Sequence, residues 1–303
     1  MSPTELASFS NGAIYASMLV LTFAMIAFAV SFAAGRRRVA HAASDTTVVE
    51  AAPAQQRDPG RRSANIGMAL TWLGFFLLLV GVIARAFWAG RVPWGNMYEF
   101  SISSAVGILA VFLGISIKKD VRWLGLFVVI PVLLDLGLAV TVLYTEAAQL
   151  VPALKSYWLV IHVSAAVICA GAFTVATAAI VMAMIRRAFE KRGKLDSRFP
   201  SSTSLDQFAY RIITFAFPLW TFAVIAGAIW AENAWGRYWG WDPKETWAFI
   251  TWVFYAGYLH ARATAGWRSK APYIALIGYA AFVINYFGIN LFVNSLHSYS
   301  GVQ

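Results

Sequence analysis

The chain has 303 residues, of which 60% are hydrophobic, 16% aromatic and only 13% charged. That is too apolar for a water-soluble domain and matches a membrane protein. The net charge of +10 does not by itself indicate nucleic acid, since basic residues gathered in cytoplasmic loops give the same sign. The single cysteine, Cys169, excludes an intrachain disulfide, a CxxC redox pair and a covalent CxxCH haem site.

A bilayer core of about 30 Å requires about 20 apolar residues per helix, and eight runs meet that need: residues 13–34, 66–88, 100–117, 123–143, 157–185, 208–231, 246–261 and 272–293. The expected fold is all-α, a polytopic transmembrane bundle of about eight helices. The first run has no basic stretch before it and Arg36, Arg37 and Arg38 after it, the reverse of a cleavable signal peptide. Residues 1–35 therefore read as an uncleaved first helix. Residues 36–65, rich in Ala, Gln, Pro and charge, read as a cytoplasmic linker and not as a folded module. Residues 66–303 form the remaining membrane domain. Pro131 and Pro218 are expected to break their helices locally.

Basic residues set the orientation. Arg57, Arg61 and Arg62 join Arg36 to Arg38 in the first connection; Lys118, Lys119 and Arg122 fall in the third, Arg186, Arg187, Lys191, Arg192, Lys194 and Arg198 in the fifth, and Arg262, Arg268 and Lys270 in the seventh. Alternate connections carry only Arg85, Arg91, Lys155, Arg237 and Lys244. Odd connections are thus expected in the cytoplasm, with both termini outside. This topology accounts for the positive charge without nucleic acid.

The sixth connection, residues 230–247, reads Trp-Ala-Glu-Asn-Ala-Trp-Gly-Arg-Tyr-Trp-Gly-Trp-Asp-Pro-Lys-Glu-Thr-Trp. With Trp252 it holds six of the chain's 13 tryptophans. An interfacial aromatic belt spreads tryptophan over both membrane surfaces, whereas here the residues are concentrated in one outer loop. Gly236 and Gly240 let the backbone lie close to a ligand, and broad apolar rings suit a large planar partner such as a porphyrin. Trp235, Trp239, Trp241 and Trp247 are the expected platform. Arg237 and Lys244 are candidates for carboxylate contacts, with contact to lipid headgroups as the plain alternative. Asp242, Pro243 and Glu245 have the pattern of a helix start with a capping box; Asp242 is also a candidate ligand contact.

Of the four histidines, His162 and His297 fall on the outer side and flank this loop, and two neutral imidazoles form a natural axial pair for haem iron. His260 lies at the cytoplasmic end of the seventh run, either as an interfacial histidine or as a ligand for haem arriving from the cytoplasm. His41 falls in the polar linker and reads as solvated. Asp135, inside the fourth run, must face the bundle interior or a partner.

These features together resemble the cytochrome c biogenesis proteins of the CcsA/ResC (system II) type, in the haem-handling superfamily with a WWD domain. The resemblance covers most of the chain beyond the linker. It rests on Pro93-Trp-Gly-Asn-Met-Tyr98-Glu99-Phe, Ser156-Tyr-Trp-Leu-Val-Ile-His162-Val, Trp239-Gly-Trp241-Asp-Pro-Lys-Glu-Thr-Trp247, Tyr258-Leu-His260-Ala-Arg262 and Leu296-His297-Ser-Tyr. It implies haem b ligated by His162 and His297 at the outer face, and an inner haem site to which His260 gives one ligand and a ResB/Ccs1-type membrane partner the other. It further implies a part in a holocytochrome c synthase, attaching haem through thioethers to the CxxCH segment of apocytochrome c. A thioredoxin-like thiol reductant is a further implied partner. The chain positions groups and performs no acid–base step of its own, so no catalytic residue is assigned. Two other readings stay open on the sequence alone: a bis-histidine electron-transfer membrane cytochrome, and a cofactor-free transporter built around Asp135.

Overall fold

The structure, a computed structural model, describes residues 2–42, 59–147, 154–193 and 199–297. In chain order its elements are α1 (Pro3–Ala42), α2 (Pro59–Ala89), α3 (Met97–Lys118), a 3-10 turn (Arg122–Leu124), α4 (Gly125–Thr141), α5 (Tyr157–Glu190), α6 (Ser202–Trp235), α7 (Pro243–Ala263) and α8 (Ala271–Val283). A π-helical turn, Ile284–Gly288, then leads into the short α9 (Ile289–Phe292). Among the described residues there is no strand. The chain is a multi-pass helical membrane bundle. Seven of its helical segments are long and apolar enough to cross a bilayer; α7 matches the remaining expected run but carries Lys244, Glu245, His260 and Arg262, which lower its apolarity.

Helices α1 and α2 extend further into the first connection than the apolar runs do, and residues 43–58 of the expected linker lie outside the described residues. The same holds for the side chain of His41. Pro131 and Pro218 sit inside α4 and α6, which run through them without ending.

Helices α1 and α2 form a hairpin with a seven-residue seam. On α1, Ile14, Leu21 and Phe28 are buried, and each fills the space that a side chain at Gly81, Gly74 or Gly67 of α2 would occupy. Ser10 and Ser17 of α1 donate to the carbonyls of Gly81 (2.8 Å) and Gly74 (2.7 Å), and Ser31 donates to that of Gly60 (2.7 Å). Small residues allow close approach where lipid offers no hydrophobic drive for association, and hydroxyl-to-carbonyl bonds supply part of the attraction. The three-and-a-half-residue period is that of antiparallel coiled-coil packing.

The other helices wrap around α5, the most enclosed of the set. Gly107 of α3 and Gly171 of α5 face each other so closely that a Cβ on Gly171 would lie 2.7 Å from the Gly107 carbonyl. One end of the bundle gathers the starts of α3, α5 and α7 with the ends of α6 and α9. At the other end Ser202 donates to Glu190, Arg262 pairs with Asp206 and Trp123 packs on Phe208.

A paired-imidazole cavity under the tryptophan loop

The tryptophan loop is held by its own carboxylates. Helix α6 ends at Gly236, left-handed at φ +71°, the conformation in which glycine has no Cβ to clash. Trp241 is also left-handed (φ 57°), an uncommon state for a bulky residue that the surroundings must enforce. The enforcing group is Glu245: its Oε2 accepts from the backbone N–H of Gly240 (2.8 Å) and of Asp242 (3.1 Å). Its Oε1 accepts from Arg237 (3.3 Å). Asp242 caps α7 by accepting from the Lys244 N–H (3.1 Å) and completes the capping box with Glu245.

Asp242 has a second duty beyond the helix start. Its Oδ1 accepts from the Leu296 N–H (2.9 Å), and its Oδ2 accepts from His297 Nδ1 (2.9 Å). Burial raises the Asp242 pKa, but the hydrogen bonds from His297 and Leu296 outweigh it and hold the carboxyl at about 2. Burial also lowers the His297 pKa, against the hydrogen bond to Asp242, which raises it. The ring is therefore neutral at pH 7, with its proton on Nδ1 and its lone pair on Nε2.

His162, on the second turn of α5, reaches the same state by a different contact. Its Nδ1 meets the Ala223 carbonyl at 2.7 Å; a carbonyl only accepts, so Nδ1 donates and Nε2 keeps the lone pair. Gly227 makes this possible, since a Cβ there would lie 2.8 Å from both Nδ1 and Cε1 of His162.

Both imidazoles line one cavity. Trp230 lies between them. Its ring is nearly parallel to that of His162 (10°, centroids 6.3 Å apart) and edge-on to that of His297 (5.4 Å). Trp235 also meets His297 edge-on at 4.8 Å. Trp239, Tyr238 and Lys244 form the loop side of the cavity, and Trp220, Phe282 and Asn285 part of its depth.

The residues singled out by the sequence are thus distributed unevenly. His162, His297 and Trp239 line the cavity, while Trp235 and Asp242 support His297 from behind. Trp241, 65% exposed, points its ring at Trp239 and Phe249; neither it nor Trp247 lines the cavity. Arg237 is engaged by Glu245, whereas Lys244 faces the cavity. His260 stands apart, exposed on the last turn of α7 beside the Arg262–Asp206 pair.

Sequence reasoning missed Trp230 and Gly227 as site residues, although they lie three residues apart on α6 and so share a helix face. It also left the Trp94–Phe100 loop without a role. Glu99 there is fully buried and accepts from Arg85 Nε (3.1 Å), Arg91 (2.6 Å) and the Gly95 N–H (2.8 Å). The anchored loop places Trp94 and Phe100 against the cluster of Leu154, Leu159 and Trp230, so it props up the ring between the histidines.

Fold and site together define a helical membrane protein with two imidazoles lining one cavity beneath an aromatic loop. Residues 94–297 match the family model described as cytochrome C assembly protein. The cytochrome c biogenesis protein CcsA of Guillardia theta is 36% identical over 257 residues, covering 77% of this chain and 85% of that one. CcsA of Porphyra purpurea is 36% identical (78% and 84% covered) and CcsA of Microcystis aeruginosa 33% (77% and 87%). The chain belongs to the cytochrome c assembly protein family and is of its CcsA type. Its role lies in cytochrome c biogenesis. Among solved structures, the cytochrome c heme lyase CcmF has the same fold (TM-score 0.64, 17% identity) over 95% of this chain, which spans 47% of that longer one.

Proposed function

We propose that the chain is the membrane haem-handling subunit of a cytochrome c synthase, holding haem b at the outer face for thioether attachment to the CxxCH cysteines of apocytochrome c. The observation that carries this reading is the pair His162 and His297, each with Nδ1 hydrogen-bonded and its ring lining one cavity. Imidazoles oriented in this way by a carbonyl or carboxylate behind them are the usual form of iron ligands.

When bound, haem supplies the vinyl groups and the iron whose ligands the substrate exchanges. The chain's own residues do the positioning. Trp230 and Trp239 exclude water and bound a flat ligand, Trp235 backs His297, Asp242 and Ala223 hold the imidazole tautomers, and Lys244 offers a cation for a carboxylate. With Arg237 paired to Glu245, its part is to stiffen the loop around the site. Trp241 and Trp247 act at the rim.

The distribution of basic residues supports an orientation with the tryptophan loop on the outer side of the cell membrane. Exposed His260 at the opposite end is assigned to an inner haem site completed by a ResB/Ccs1-type partner. A thioredoxin-like reductant would keep the apocytochrome thiols available. The haem-handling unit is taken as residues 66–303.

The test is to purify the chain with its partner and measure haem b optically. Bound haem that disappears when His162 and His297 are both replaced by alanine is expected. Absence of haem b, or haem content unaffected by the double replacement, refutes the reading.

A further inference from the structure

A second cavity, about 780 Å3 with its mouth, lies between α4 and α8. Helix α4 packs on α3, α1 and α5, and α8 on α7 and α5, so a slot is left between them. Leu134 forms its lip and is 69% exposed; in a membrane-spanning bundle such a side chain faces acyl chains. The slot therefore opens sideways, toward lipid.

Its inner wall is shared with the imidazole cavity. Ala170, Phe282 and Tyr286 line both spaces, so the partition consists of side chains. Phe282 rests edge-on against Phe173 (5.8 Å) and Trp220 (5.6 Å). Tyr286 packs on Phe100 (5.1 Å) and donates to Ser101 Oγ (3.0 Å). Tyr286 also belongs to the π-helical turn, a local widening that helices place at functional positions.

An independent observation concerns what the slot takes. Asp135 lines it, is only 9% exposed, and its Oδ1 has no hydrogen-bond partner among the described residues. The Asp135 carboxyl is held by Ser101, but a buried oxygen left without a partner beside an open slot can take a visiting donor. Ionised carboxylates are excluded from hydrocarbon by their desolvation cost, so a porphyrin dicarboxylic acid dissolved in the bilayer travels protonated and offers an O–H donor to Asp135 Oδ1.

We propose that the α4–α8 slot is a lateral passage by which haem, in its neutral dicarboxylic acid form, moves from the bilayer to the imidazole cavity, with Asp135 accepting a hydrogen bond from a propionic acid and Phe282 and Tyr286 as the gate. This rests on reading the imidazole cavity as a haem site. It assigns Asp135 a role on the route and none in iron ligation, and it is separate from the inner site at His260.

The experiment uses the full chain with its partner in lipid vesicles, with haem supplied from donor vesicles and the His162- and His297-dependent optical spectrum followed in time. Leu138→Trp, which obstructs a wall of the slot and leaves the imidazole cavity untouched, is expected to slow loading at least tenfold. The final spectrum should match wild type when haem is added in detergent. Asp135→Leu should slow loading similarly, and Asp135→Asn, which keeps an acceptor oxygen, should restore it. Loading at the wild-type rate in both Leu138→Trp and Asp135→Leu overturns the passage and leaves the slot as a seat for an acyl chain. A wild-type complex with no histidine-dependent spectrum from either haem source instead overturns the haem site itself.

Discussion

Replacing Asp242 with asparagine separates its two duties. Asparagine caps helices as well as aspartate does, so α7 should start as before when the amide oxygen takes the Oδ2 position, which accepts from both Lys244 and His297. The amide, however, has one acceptor oxygen where the carboxylate has two. Oδ2 serves His297 and Oδ1 serves Leu296, both at 2.9 Å, and the NH2 group must face one of these donors. If it faces His297, the imidazole proton moves to Nε2 and the iron-binding lone pair is lost. If it faces Leu296, the backbone leading to His297 is released. Hydrogen bonds to a charged group contribute about 1.5–3 kcal/mol, and about 1.4 kcal/mol is tenfold in affinity, so haem should be held roughly 10–100-fold more weakly. The assay is haem transfer to an excess of an acceptor globin, timed optically. The sign of the pH effect is fixed by the carboxyl's depressed value. Its stabilisation is fully present above the ordinary 3.8 and is lost as pH falls through about 2, so the variant should lack this acid-sensitive component. Haem retention in Asp242→Asn equal to wild type, alongside loss in His297→Ala, would refute the positioning role.

Gly227→Ala adds a methyl 2.8 Å from His162 Nδ1 and Cε1; haem retention should fall about tenfold by transfer to globin, while helix α6 gains about 1 kcal/mol of intrinsic propensity and stays folded. Glu99→Gln leaves the fully buried Arg85 and the Arg91 side chain without their counter-charge. Loss of one partner from a buried ion pair costs about 3–5 kcal/mol, so the outer loop should become open to limited proteolysis at lower temperature; an unchanged cleavage midpoint counts against this. His260→Ala should load less haem into the complex with its partner, and added imidazole should restore part of it. Full loading without imidazole would return His260 to an interfacial role.

The bundle was legible because an apolar run of membrane length has few physical fates besides spanning a bilayer. Each of the eight expected runs maps onto one helix or, at the C-terminal end, onto α8 and its π-helical and α9 continuation. Pro131 and Pro218, expected as local interruptions, lie inside α4 and α6, and neither ends its helix. That His162 and His297 lie at the same end of the bundle was legible from their places in the runs. The support behind them was not, since the Ala223 carbonyl carries no mark of its own in the sequence and Asp242 looked complete as a cap. The tryptophans were read as one platform, but the bend at Trp241 turns its ring away from the cavity. The glycine and serine spacing of α1 and α2 was readable at seven-residue intervals, yet high apolarity alone had already accounted for both helices.

That spacing has a mechanical consequence. Ser10 and Ser17 of α1 meet glycine carbonyls of α2 one heptad apart, and Ser31 meets another two heptads further on, so a small slide loses all three bonds at once. The next matching alignment lies a full repeat away, about 10 Å along the axis at 1.5 Å per residue. The first two helices thus behave as a ratchet locked at a single tooth. Phe28 reaches from it into the gap at Gly125, where α4 begins. The hairpin therefore gives α4, the helix that bears Asp135, a fixed abutment at its starting end.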